Sequence, residues 1–209
     1  MNRGDAAVCV VGTGTDEELR AHTPTGVPIL EVGSETEAFE RVAPADVVLL
    51  RPGCRVAPGW LEALRDAARA SATTATATAL TPHDLSGAPA DPFEPAAAAV
   101  RAASLRLRPR IEAPGSACVY VRRSALDLVG DPGGEEFYTR CVELGLAHVL
   151  ADDVLVLDPG PAPAPAQEPS PPVSRARAAA RRAVRGLSAT IDASILSGPT
   201  PAPTSTCSS

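Results

Sequence analysis

Apolar residues along this chain fall in short runs, broken by glycine, proline and aspartate, that switch between strand and helix spacing. Residues 46–50 (DVVLL) are a β-branched apolar run bounded by turn formers, which predicts an interior strand. Pro52 and Gly53 stop it. Pro58 then sits where a helix tolerates a missing N–H, and Trp60, Leu61, Leu64 and Ala68 recur at helical spacing on one face. The loop Arg51, Pro52, Gly53, Cys54 therefore hangs off the carboxyl end of a strand, where open α/β sheets bind ligands.

The same alternation runs along the chain to residue 158. Residues 6–11 read as a strand ending in Gly12-Thr13-Gly14-Thr15-Asp16, with a helix from 17 to 21 capped by Thr15 or Asp16. A dinucleotide fingerprint fails here, because Glu17 stands where the third glycine belongs, and a plain tight turn is the better reading. A strand over 27–32 and a helix over 35–42 follow, so strand and helix alternate up to residue 70. That order predicts parallel pairing in a three-layer α/β fold with a mostly parallel sheet. Residues 73–80 alternate threonine and alanine and read as a strand with its threonines solvated or hydrogen-bonded. A loop over 81–95, a helix over 96–107 ended by Pro109, a strand over 115–121 and a helix over 124–129 come next. Residues 135–144 form a helix closed by Gly145, and 147–157 a last strand in which Asp152 and Asp153 read as a solvated kink.

Composition changes at residue 159. Residues 159–173 hold prolines at a density that suits a stiff linker, so the domain is expected to span 1–158. Residues 174–187 then predict a basic helix with Ala176, Ala179, Ala180, Ala183, Val184 and Leu187 on one face and five arginines on the other, which either docks on an acidic protein face or is simply solvated. Residues 187–196 read as a lone apolar strand before a proline-rich end, which predicts that residues 159–209 are mostly mobile, the 174–209 helix and tail included, and that the reading frame is truncated or frameshifted. The net charge of -6 is uneven. Five arginines against Glu168 and Asp192 leave the segment after Gly160 at +3 and the rest at -9. An acidic body of that kind argues against nucleic-acid binding. Five cysteines without a C-x-x-C pair, no leader-like apolar stretch at the start and no membrane-length apolar run predict a soluble, cytoplasmic chain with reduced, mostly buried thiols. His83 and His148 have no partner at metal-ligand spacing.

Three stretches carry a resemblance. ADVVLLRPGCRVAPGWLEAL (45–64), GSACVYVRRSALDLVG (115–130) and EEFYTRCVELGLAHVLADDVLVLDPG (135–160) together resemble a family 2 glycosyltransferase of the GT-A fold. They look like its metal loop, its acceptor-side strand, and its base-bearing helix with closing strand. A weaker match sets AAVCVVGTGTDEELRA (6–21) beside the nucleotide-contacting turn, while the family's first nucleotide-binding strand has no counterpart. The resemblance implies transfer of a sugar from a nucleotide-sugar donor to a hydroxyl acceptor on a glycan or another molecule. It places donor binding at Asp16, Arg51 and Gly53, and the general base at Glu135 or Glu136. The divalent ion expected for the family, Mg²⁺ or Mn²⁺, lacks its loop acid here, because Gly53 occupies that position. Arg51 offers a substitute charge, and Asp158, where the family often has histidine, is a weak metal ligand.

Bland readings stand beside these. Glu135 and Glu136 open a helix, where carboxylates favour the positive end of the dipole without catalysis. Arg122 and Arg123 read as ordinary strand-end charges. The degenerate metal and base motifs keep a second function open: a non-catalytic remnant or interaction module on the same scaffold.

Overall fold

A strand with no exposed member has to be covered on both faces, and residues 46–50 are buried throughout. The computed structural model describes residues 6–85, 92–130 and 134–159, so the predicted linker beyond Pro159, the basic helix and the terminal strand lie outside the described residues. In chain order the elements are β1 (Ala6–Val11), α1 (Glu17–His22), β2 (Ile29–Val32), α2 (Glu35–Arg41), β3 (Asp46–Leu50), β4 (Arg55–Val56) and α3 (Trp60–Ala68). They continue with β5 (Thr74–Leu80), α4 (Phe93–Ala103), β6 (Arg110–Ile111), β7 (Cys118–Val121), α5 (Arg123–Val129), α6 (Gly134–Glu143) and β8 (Ala147–Leu157). The strands make one mixed sheet in the order β2-β1-β3-β7-β5-β8-β4, with β6 also pairing with β8.

The α/β layering follows the sequence pattern. On one face Leu19 of α1 and Trp60, Leu61 and Leu64 of α3 cover Val8, Val10, Val48 and Leu50. On the other, Phe39 of α2, Leu126 of α5 and Phe137 of α6 cover Ala7, Cys9, Val47 and Leu49. Successive strand residues thus serve opposite layers, as the two-residue repeat of a strand requires. Pairing is parallel for β2-β1-β3 and for β5-β8, but β7 is antiparallel to both β3 and β5. The chain reaches β7 at the carboxyl edge of the sheet, where the Arg51 N–H donates to the Ala117 carbonyl at 2.9 Å, so β7 runs back against its neighbours.

Several boundaries differ from the expected ones for local reasons. α3 starts at Trp60 rather than Pro58, because Gly59, at φ 75°, makes the left-handed turn into it. α4 starts at Phe93 and stops at Ala103, where the sequence predicts 96–107. Phe93 is buried with Leu80 and Leu155, and Pro95 sits in the first turn, where no N–H is needed. Residues 104–108 leave the helix because β8 captures them. Asp152 accepts from the Ser104 hydroxyl and from the Leu107 and Arg108 amides, and Asp153 pairs with Arg106 at 3.2 Å. The expected solvated kink is therefore a buried tether, with Asp153 only 3% exposed. The threonines of β5 are buried too. Thr76 Oγ1 bonds His148 Nδ1 at 2.8 Å, and His148 Nε2 lies 3.0 Å from the Tyr138 carbonyl. A carbonyl only accepts, so the neutral ring donates from Nε2 and accepts from Thr76.

At the amino edge, Asp46 gathers four elements. Its carboxylate accepts from the Tyr120 hydroxyl at 2.6 Å, the Arg69 guanidinium at 2.9 Å and the Arg123 amide at 2.7 Å. Arg122 reaches the carbonyls of Ser71, Ala72 and Thr74, and Arg123 that of Phe39, so both arginines brace the fold.

Two predictions follow from this packing. Asp46→Ala leaves a buried hydroxyl and amide without an acceptor and should cost about 3 kcal/mol in denaturant unfolding, with Asp46→Asn milder. Burial holds the His148 imidazole below its ordinary value of 6.5, against the opposing hydrogen bond to Tyr138. The unfolded chain then binds the extra proton first, so this contribution is complete above pH 6.5 and declines as pH falls through 6.5 toward the lower folded value. Melting temperature should drop across that window, and the drop should be smaller in His148→Gln.

Candidate functional site

Every long strand except β7 points its carboxyl end to the same edge of the sheet. β1 lies between β2 and β3, so the chain leaves it to one side and returns on the other. That reversal is the switch point at which open α/β sheets form a ligand crevice. The loops after β1 and β3 flank it and touch each other. Gly12 has φ 129°, and a Cβ there would stand 2.7 Å from Pro52 Cγ, so only glycine fits beneath the proline ring.

Glu31 on β2 organises the first loop. Its Oε1 accepts from the amides of Gly14 at 3.2 Å and Thr15 at 3.0 Å, and these bonds hold its carboxyl below the ordinary value of 4.5. Sequence reading missed this residue. The available signal was an acid near the end of the second strand, 17 residues beyond Gly14, in the region where α/β nucleotide folds place their ribose-binding carboxylate. Asp16, expected at the donor, caps α1 by accepting from the Leu19 amide at 2.7 Å.

Arg51 begins the second loop and is held on two sides. Its Nη1 donates to Asp158 Oδ2 at 2.6 Å, and its Nη2 donates to the Ser116 hydroxyl. The fold thus joins the ends of β3 and β8 with the approach to β7, bringing together Arg51 and Asp158 from positions 107 residues apart. Ser116 was not expected. Cys54 lies behind the pair, its Sγ 3.9 Å from Asp158 Oδ1; burial chiefly, with the Asp158 charge, pushes its thiol up to about 12. The other described cysteines, Cys9, Cys118 and Cys141, are buried free thiols raised by the same desolvation.

The divalent ion that the resemblance implies does not fit this loop. Gly53 has φ 75° and brings no oxygen ligand, with Pro159 Cγ 3.3 Å from where its Cβ would stand. Arg51 is cationic, Cys54 is a protonated thiol, and the Asp158 carboxylate already faces the guanidinium. Glu136 is exposed on α6 and pairs with Arg140 at 2.5 Å, one helical turn on. The Glu135 side chain lies outside the described residues. No helix among the described residues is long and apolar enough to cross a membrane. Compared with known proteins, the sequence matches no protein-family model and no curated protein.

The Glu31 contacts predict a titration. Gly14 and Thr15 amide resonances should shift together with a midpoint below pH 4.5, as the carboxylate that accepts from them is protonated. In Glu31→Gln that step should vanish and both amides should exchange with solvent faster.

Proposed function

We propose that this chain is a glycosyltransferase-like domain of the family 2, GT-A type, which moves a sugar from a nucleotide-sugar donor to a hydroxyl acceptor. The observation that carries the reading is a positioned guanidinium, Arg51, at the carboxyl edge beside the switch point. A departing nucleoside diphosphate needs its charge neutralised, and arginine can do so with paired N–H donors. Asp158 and Ser116 orient Arg51, and its remaining N–H groups are free to meet phosphate oxygens. Arg51 then supplies the charge that a metal would bring. Glu31 and the Gly14 and Thr15 amides form the polar wall on the donor side, and Glu135 or Glu136 removes the acceptor proton.

The second reading is a non-catalytic interaction module. Two observations favour it: Gly53 offers no ligand, and Glu136 is tied to Arg140.

Calorimetric titration with uridine, guanosine and other nucleoside diphosphates separates the two. The transferase reading expects binding that a chelator leaves unchanged and that Arg51→Ala weakens about tenfold or more. If transfer is observed, Glu136→Gln should lower turnover about 100-fold with donor affinity retained, if Glu136 is the base. Absence of binding by every nucleoside diphosphate overturns the transferase reading in favour of the interaction module. Binding abolished by chelator overturns the role given to Arg51.

A further inference from the structure

A second group of polar side chains involves α1, β4 and α4 and shares no residue with the Arg51–Asp158 pair. Glu18 and His22 are four residues apart on α1 and so share a face, and Glu94 meets them from the first turn of α4. His22 Nε2 lies 3.5 Å from Glu94 Oε1, and the ligand atoms of all three residues lie within 4.8 Å of one another.

The ring orientation of His22 is what distinguishes this group from a plain acidic cluster. Its Nδ1 is 2.7 Å from the Val56 carbonyl on β4. A carbonyl cannot donate, so Nδ1 carries a proton, and whenever the ring is neutral its Nε2 lone pair is the one that faces the carboxylates. Metal-bound imidazoles are oriented in this way, by a carbonyl or carboxylate on the far nitrogen. Glu18 has an orienting partner as well: Arg55 Nε donates to its two oxygens at 2.9 and 3.2 Å, while the Arg55 guanidinium lies over the Phe93 ring. Each carboxylate oxygen keeps a second lone pair after accepting that bond.

We infer that Glu18, His22 and Glu94 form a site for a divalent transition-metal ion of the zinc class, tying α1 and α4 together beside β4. One imidazole nitrogen with two carboxylates suits such an ion better than Mg²⁺ or Ca²⁺, which take oxygen ligands throughout. Half-exposed Glu94 leaves the outer side open to water. The ion would be a staple. α1 follows the glycine loop, and β4 follows the Arg51 loop while pairing with Val156 and Leu157, so occupancy would stiffen both loops from behind.

The test uses the full chain, stripped with chelator and titrated with Zn²⁺ alone, with Mg²⁺ alone, and with Co²⁺ as a spectroscopic probe. Saturable Zn²⁺ binding should raise the melting temperature, Mg²⁺ should not, and His22→Ala and Glu94→Gln should each weaken Zn²⁺ at least about tenfold. Unmodified protein gives an independent reading: of the three histidines, only the His22 ring signals should broaden on adding Co²⁺. No saturable Zn²⁺ binding, unchanged affinity in the variants, broadening of His83 or His148 instead of His22, or a thiolate-to-Co²⁺ absorption band would each overturn the site.

Discussion

A buried carboxylate is tolerated only when its oxygens are matched by donors, and Asp46 meets that demand with a tyrosine hydroxyl, a guanidinium and a backbone amide. Those donors come from β7, the end of α3 and the start of α5, so one side chain fixes where three elements meet the central strand. β7 enters the sheet against the direction of its neighbours, and the Tyr120 hydroxyl is one of the contacts that hold its register there. The arginines after β7 extend this bracing to the turn before β5 and to the end of α2. The amino edge of the sheet is therefore closed by satisfied polar groups.

The carboxyl edge is built differently. Its loops contain Gly12, Gly14 and Gly53, all at positive φ, and its charged groups are shared between loops that are distant in sequence. Arg51 and Asp158 attract each other strongly at 2.6 Å, yet Arg51 keeps N–H groups beyond those used. An anion reaching this edge would meet a guanidinium already held in place, which lowers the ordering cost of binding. Loops on a rigid scaffold are where binding chemistry concentrates, and the carboxyl edge of this sheet is the one built from such loops.

Charge also distinguishes the two polar clusters. The Arg51 loop sets a guanidinium against its single carboxylate, Asp158, which fits a phosphate better than a metal ion. The group on α1 and α4 has the opposite character, an imidazole and two carboxylates converging from different helices, with Arg55 holding one carboxylate from the side. The two lie close along the chain, since Arg55 directly follows Cys54. The stretch from Arg51 to the start of β4 thus contributes to both.

Much of the local structure was legible in the sequence. The DVVLL run, the valines of β1, the apolar spacing of α3 and the Gly145 stop of α6 act through neighbours within a turn or a strand, and the last strand was placed at its observed limits. The α/β class followed from their alternation. The sense of β7 did not, because direction depends on which edge the connection reaches. Nor did the limits of α4, which are set by burial of Phe93 and by capture of residues 104–108 on Asp152 and Asp153. The candidate site divides along the same line. Arg51 and Gly53 stood out as a loop at a strand end, whereas Ser116 as a partner of Arg51, Glu31 as the acceptor for the glycine loop, and the meeting of His22 with Glu94 depend on contacts between residues far apart in the chain. Periodicity reports what a residue does for its own element; only the folded chain decides which distant charge it will face.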